Sequence, residues 1–324
     1  MNDSLILSAD LALRGSVPKG LPLLVVLGGM SDAGGVQSQL GEYLWDRCDP
    51  QEILQFNADE LLDYRARRPF ITFDEDHFVD YAPETLSLSL ARDELGSPFL
   101  VLHGFEPDFR WERFIDQVLL LVDEFEVSIT VWSHAIPMPV PHTRPIRATV
   151  SGTREDLIEA RSVWKPTSKL PASVTHVLEY RLQMMGEDVA GFALLVPHYL
   201  ANTEYPDALL TSLDCFMAAT GLLFATGEIH ETRRSFVEQV ETQIRENHES
   251  VEMLQGLEAR YDAYMEDQSP ASERGGSSPL IGADGAIPTA DQLASELERF
   301  LAQHRGDPTA GSGEVNGDGP VPGN

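Results

Sequence analysis

The chain has 324 residues, 42% of them apolar, and carries 23 Lys+Arg against 52 Asp+Glu, a formal charge of −29. That is enough apolar side chain for the core of one large or two ordinary domains, and so acidic a surface argues against nucleic acid and anionic membranes as partners, because phosphates need clustered Lys/Arg. Cys48 and Cys215 make no disulfide framework and no zinc spacing, and the run Leu5-Ile6-Leu7 is too short for a signal peptide or a span, so the expectation is a reduced, cytoplasmic protein with no membrane segment.

Leu23-Leu24-Val25-Val26-Leu27, between Pro22 and Gly28-Gly29, has the continuous apolar pattern of a strand buried on both faces. Val36, Leu40, Tyr43 and Leu44 then recur at helical spacing, and Ile53–Phe56 is a second strand after the Asp49-Pro50 breaker. Phe70–Phe73 offers a further strand, and Leu86-Ser87-Leu88-Ser89-Leu90 alternates strictly, which predicts a half-buried one. Phe99–Leu102, a helical face of Trp111, Phe114, Ile115, Val118, Leu119 and Val122, and a strand over Val127–Trp132 follow. That strand runs into a proline-rich loop, Ile136-Pro137-Met138-Pro139-Val140-Pro141. A helix over 173–185, a strand at Phe192–Val196 and a helix over 208–224 complete the alternation. Residues 1–228 thus read as an α/β domain, a mixed, mainly parallel sheet flanked by helices.

Residues 229–266 are charged and free of proline, a long helix or helical appendage. Val237, Val240, Ile244, Val251, Leu254 and Tyr261 form a heptad-like stripe there, interrupted by polar positions; it can pack on its own domain or on another subunit. Residues 267–324 hold ten of the 25 glycines and one aromatic, Phe300, a composition that predicts a mostly disordered tail. Inside it, Thr289-Ala290-Asp291-Gln292 is a capping box before Leu293, Leu297, Phe300 and Leu301. The spacing predicts an amphipathic helix over 289–304, too short to stand alone in water, which needs a surface in its own domain or in a partner.

Functional candidates gather where strands end, the place where open α/β sheets hold ligands. Gly28, Gly29, Ser31 and Asp32 lie in a glycine-rich strand-to-helix loop whose N–H groups can hold an anion. The spacing is neither GxGxxG nor GxxxxGKS/T, and a tight turn is the competing reading. After the next strand His103, Glu106, Asp108 and Arg110 place a proton shuttle, two candidate general bases and an anion holder close together. The competing reading has Asp108 cap the following helix and Arg110 pair with a neighbouring acid. His134 ends a third strand. No GxSxG, HxxxH or HExxH occurs, Cys215 sits in an apolar helical pattern, and Cys48 lies among polar neighbours that predict greater exposure. No catalytic residue, metal or cofactor is therefore assigned, and an enzyme is the less favoured reading.

Three of these segments together resemble the bacterial branch of the proteasome assembly chaperone 2 family. They are the loop Gly28-Gly29-Met30-Ser31-Asp32-Ala33-Gly34-Gly35, then Gly104-Phe105-Glu106-Pro107-Asp108-Phe109-Arg110-Trp111, then His134-Ala135-Ile136-Pro137-Met138-Pro139-Val140-Pro141-His142-Thr143-Arg144-Pro145. Val196-Pro197-His198-Tyr199-Leu200 is similar to the same branch. The resemblance implies a fold similar to the purine nucleoside phosphorylase and hydrolase class, homo-oligomers (trimer or dimer), and relatives that act by binding proteasome subunits. Some relatives dock through a C-terminal hydrophobic–tyrosine–any tripeptide, whose tyrosine is missing from Val321-Pro322-Gly323-Asn324. The function expected is a non-enzymatic, protein-binding, chaperone-like or scaffold protein. The alternative is an enzyme or sensor holding a nucleoside-like or carboxylate ligand at the strand-end cleft.

Overall fold

The computed structural model describes residues 5–29, 32–163, 165 and 167–267. In chain order these form β1 (Ile6–Ala9), α1 (Leu11–Ser16), β2 (Leu23–Gly28), α2 (Val36–Arg47), β3 (Gln51–Phe56), α3 (Ala58–Leu61), a hairpin of β4 (Phe70–Asp74) and β5 (His77–Ala82), then β6 (Leu86–Arg92) and β7 (Pro98–Phe105). There follow α4 (Trp111–Phe125), β8 (Thr130–Met138), β9 (Ala148–Gly152), α5 (Glu155–Arg161), α6 (Val174–Met185), β10 (Val189–Pro197), α7 (Pro206–Thr220), α8 (Gly227–Arg245) and α9 (His248–Asp267).

Eight strands make one mixed sheet in the order β1-β3-β6-β7-β2-β8-β10-β9. Its centre, β7-β2-β8-β10, is parallel, and both flanks are antiparallel. Successive residues of β2 point to opposite faces and are needed on both. Leu24 and Val26 join a core with Leu40, Leu44, Phe192 and Phe216, under α2 and α7. Leu23, Val25 and Leu27 join another with Phe114, Val118, Leu178 and Leu182, under α4 and α6. A strand roofed on both sides has no polar alternation to show, which is why this run is apolar throughout. The seven buried side chains of α4 contribute about 2 kcal/mol each by area removed from water.

Four readings are corrected. Leu86–Ala91 are buried on both faces, because Ser87 and Ser89 lie 4% and 1% exposed; small hydroxyls there mark a covered face, not a wet one. The third parallel strand begins at Thr130 and runs on through Ile136-Pro137-Met138. Since β2 pairs only with Thr130–Trp132, the far end of β8 has strand partners on one side alone, where proline is tolerated. The helix read over 208–224 ends at Thr220, stopped by Gly221 at φ 76°. Cys48 is buried, not exposed, and burial pushes its thiol up to about 12.

The charged segment after Gly227 is broken at Glu246-Asn247 into α8 and α9. Val240, Ile244 and Leu257 are buried against the α2/α7 core, and Tyr261 is buried with its hydroxyl donating to Pro145 O at 3.4 Å. Arg144, in the loop between β8 and β9, binds α9 through Asp262 at 2.9 and 2.6 Å and Glu258 at 3.3 Å. The Tyr264 hydroxyl donates to Val163 O at 2.8 Å.

Candidate functional site

The strand ends meet the start of α6. β7 delivers Glu106, whose N–H donates to Gly28 O at 2.7 Å and whose side chain covers Gly29: a Cβ built there would stand 2.5 Å from Glu106 Oε2. Oε1 accepts from Val174 N–H, the first residue of α6, at 2.6 Å. A carboxylate at that position answers an orphan donor and the positive end of the helix dipole together.

Ser173 and His176 close the same helix end with a capping box. Ser173 Oγ accepts from His176 N–H at 3.2 Å, and Ser173 N–H donates to His176 Nδ1 at 2.9 Å, which places the proton of the neutral ring on Nε2. The His176 ring meets Trp132 and His134 edge-on, with centroids 5.2 and 5.5 Å away, and His134 stacks on Trp132 at 5.2 Å. Trp132 Nε1–H donates to Glu179 Oε2 at 2.7 Å. Ser151 Oγ reaches the same oxygen at 3.0 Å, and Gln183 Nε2 donates to Oε1 at 3.0 Å. Glu179 is buried, and burial raises its pKa against the opposing effect of its hydrogen bonds.

The space enclosed by Gly29, Gln37, Glu106, Ser133, His134, Ser173 and His176 is about 30 Å³, room for a water molecule or two. Glu106, Ser173 and His176 are spent on the start of α6, Gln37 Nε2 donates to Ser133 O, and Ser133 Oγ meets Ser212 Oγ at 2.6 Å. Gln37 Oε1 and His134 Nδ1 are buried without a protein partner among the described residues, enough to hold a water there. Burial, and then the neighbouring His176, lower the His134 pKa to about 4, so the ring is neutral at pH 7.

A pH dependence follows. As pH falls through 6.5 the unfolded imidazole takes up a proton that folded His134 refuses, so its contribution is lost between pH 6.5 and about 4. At 1.36 kcal/mol per unit the loss reaches roughly 3 kcal/mol at most. His103 and His176, also lowered by burial, act with the same sign. Urea denaturation from pH 7 to 4.5 should show this limb, and His134→Phe, which keeps the stacked ring, should flatten it; equal slopes in both proteins would contradict the assignment.

The structure brings Gly28, Gly29, Glu106 and His134 together and leaves the other candidates elsewhere. His103 points to the opposite face of β7, into α2: its ring lies 4.5 Å from Trp45, and its Nε2 would be 2.7 Å from a Cβ at Gly41. Asp108 does not cap α4. It accepts from Asp63 N–H at 2.7 Å and binds Arg67 at 2.6 Å, fixing the loop after α3. Arg110 pairs with Glu60. The Asp32 carboxylate accepts from Gln37 N–H at 2.7 Å and Ser38 Oγ at 3.1 Å, so the start of α2 holds the chain's own anion. Ser31 and the tail residues Leu293, Leu297, Phe300 and Leu301 lie outside the described residues.

Sequence reasoning missed Ser173, His176 and Glu179, which arrive from a helix some seventy residues beyond Glu106. The one signal was a serine three residues ahead of a histidine at a helix start, where His replaces the usual Glu/Gln of a capping box. It also missed the pairing of His142 with Tyr199. The Tyr199 oxygen accepts from His142 N–H at 2.8 Å, so its own proton goes to Nδ1 at 2.7 Å, tying the proline-rich loop to the end of β10. Among the described residues no group of three His, Cys, Asp or Glu could hold a metal ion, and no helix is long and apolar enough to cross a membrane.

Residues 26–244 match the PAC2 family. Among solved structures, a Mycobacterium tuberculosis protein of unknown function is 37% identical over 77% of this chain and 85% of its own, with a TM-score of 0.72. A Corynebacterium glutamicum protein of unknown function is 34% identical over 78% of this chain and 94% of its own, TM-score 0.73. A proteasome-assembly chaperone homologue of Mycobacterium tuberculosis, 20% identical over 72% of this chain and 100% of its own, shares the fold with a TM-score of 0.66. No curated protein matches the chain.

Proposed function

The chain belongs to the PAC2 family, and from that premise we propose that it is a non-enzymatic, chaperone-like protein that binds proteasome subunits and assembles with copies of itself as a dimer or trimer. The observation that carries this reading is the β4–β5 hairpin. It pairs with no strand of the main sheet, and a lone two-stranded hairpin is marginal in water. Yet Phe70, Phe73 and Phe78 are 87%, 62% and 66% exposed, and Ile71 and Tyr81 are exposed as well. Phe73 and Phe78 meet across the strands with centroids 5.1 Å apart, and Ile71 lies on their face. At 150–250 Å² per aromatic ring these five side chains expose on the order of 600 Å², close to the roughly 800 Å² that each partner brings to a standard interface. Such a surface favours contact with a second copy.

The proteasome enters through likeness to the chaperone homologue and to a proteasome activator of Pyrococcus furiosus, 14% identical over 69% of this chain and 93% of its own, with a TM-score of 0.51. The small strand-end space favours binding through surfaces over catalysis. Leu293, Leu297, Phe300 and Leu301 of the tail remain the proposed partner contact. Size-exclusion chromatography with light scattering tests both halves on the full chain. Wild type is expected as an oligomer that co-elutes with purified proteasome subunits. Phe73→Ser plus Phe78→Ser should give monomers, and Leu297→Asp plus Phe300→Asp should abolish co-elution. A monomeric wild type contradicts self-assembly, and no co-elution of wild type at micromolar concentrations contradicts the subunit partner.

A further inference from the structure

We propose that the open groove between β9, α5, α7 and the start of α8 binds an acidic, apolar peptide segment of a partner protein. The inference rests on the protein-binding reading above and names the chemistry of what is bound.

The groove has a volume of about 750 Å³, and Arg147, Arg161, Arg233 and His230 line it. In a chain of charge −29 this is a local excess of cations: three guanidiniums face two carboxylates. Asp214 takes one N–H of Arg161 at 2.6 Å, and Asp207 takes Nε–H of Arg233 at 2.5 Å, so both forks keep donors to offer. Arg147 is exposed and makes no ion pair with a described residue, while its backbone is fixed because Leu195 N–H donates to its carbonyl at 2.9 Å. An unpaired guanidinium on a held backbone is ready for a carboxylate.

Half-buried Ile146, Leu210 and Met217 supply an apolar wall beside these charges. A bound segment therefore needs carboxylates and apolar side chains in alternation. Arg147, Asp214 and His230 all reach solvent, whereas sites for small ligands bury most of the ligand; an extended chain fits an open trough better. Strand addition is not the mode, because Val163 N–H donates to Ala148 O at 3.1 Å and Ser162 Oγ accepts from Val150 N–H at 3.1 Å, covering the β9 edge. Side chains do the reading. The net negative charge of the chain disfavours an acidic segment in general, and the excess of guanidiniums over carboxylates in the groove favours it here.

Fluorescence anisotropy on the full chain tests this, with a fluorescein-labelled peptide of glutamate and leucine and its glutamine-for-glutamate counterpart. The glutamate peptide is expected to bind at least about tenfold more tightly. Arg147→Glu should erase that difference while leaving the melting temperature unchanged. Equal affinities for the two peptides, unaltered binding by Arg147→Glu, or displacement of the peptide by millimolar citrate or inorganic phosphate would each overturn the assignment. Flat anisotropy with intact subunit co-elution removes the groove and leaves the protein-binding reading; saturable Arg147-dependent binding without co-elution keeps the groove and removes proteasome subunits as the partner.

Discussion

Gly104→Ala should cost about 4 kcal/mol or leave the chain unfolded. Gly104 sits in β7 at φ 141°, and a Cβ would stand 2.1 Å from Thr85 O and 2.7 Å from Leu86 Cα. Both neighbours are backbone, and Leu86 is the first residue of β6, paired directly with Gly104. Relief therefore means parting two core strands. Because Glu106 follows two residues later, it also moves the carboxylate away from Val174 N–H and loosens α6. At 2–4 °C per kcal/mol the melting temperature should fall by roughly 8–16 °C. Gly29→Ala is the milder comparison: its Cβ meets only the Glu106 side chain, so relief costs the bond to Val174 N–H and leaves the strand pairing intact. Thermal melts of both variants check the contrast, and a Gly104→Ala loss below about 1 kcal/mol would refute the strained geometry.

Glu179 sets the second large effect. Its carboxylate takes hydrogen bonds from Trp132, Ser151 and Gln183 while 7% exposed, and among the described residues no cation pairs with it. Glu179→Ala strands the indole N–H in the core and opens a hole beside Gly191, at a cost of about 3 kcal/mol. Glu179→Gln keeps the volume and, with its amide oxygen toward Trp132 and Ser151, keeps both of those hydrogen bonds on one oxygen, while a flip of the Gln183 amide can accept from the new NH2; the loss should stay below about 1 kcal/mol. The pH dependence separates the two further. A carboxyl whose folded pKa is raised above 4.5 stabilises most when protonated, and that advantage is lost as pH rises through the folded value. Glu179→Gln should remove this alkaline loss. Urea denaturation at pH 5 and pH 8 measures it, and an unchanged pH difference in Glu179→Gln would contradict a buried, strained carboxylate.

What could be read from the sequence depended on how local the signal was. β2, α2, α4, β7 and α6 announce themselves because each carries its own apolar period, and the resemblance extended that to the whole fold. The limits of β8 and of the long charged segment were hidden, since a proline inside a strand with one free side and a break at Glu246-Asn247 depend on neighbours far along the chain. β6 misled for a related reason: strict alternation reports two different faces, not that one of them is wet.

The site divides the same way. Gly28, Gly29, Glu106 and His134 were legible because strand ends converge in a parallel sheet. His103 and Arg110 were grouped with Glu106 by closeness in sequence, but the pleat turns His103 to the α2 side, and Arg110, at φ 59°, swings out to Glu60. His176 and Glu179 carried no metal or nucleophile spacing; their roles appear only once α6 is packed.

At the centre stands the claim that this PAC2-family protein works through its surfaces and not through a ligand held at the strand ends. Thermal-shift measurements with nucleosides, sugar phosphates and short carboxylates, on wild type and Glu106→Ala, test it most directly. No compound should raise the wild-type melting temperature in a manner that depends on Glu106. A saturable rise of several degrees in wild type, lost in Glu106→Ala, would contradict the claim and restore a ligand-binding site at Gly29, Glu106 and His134.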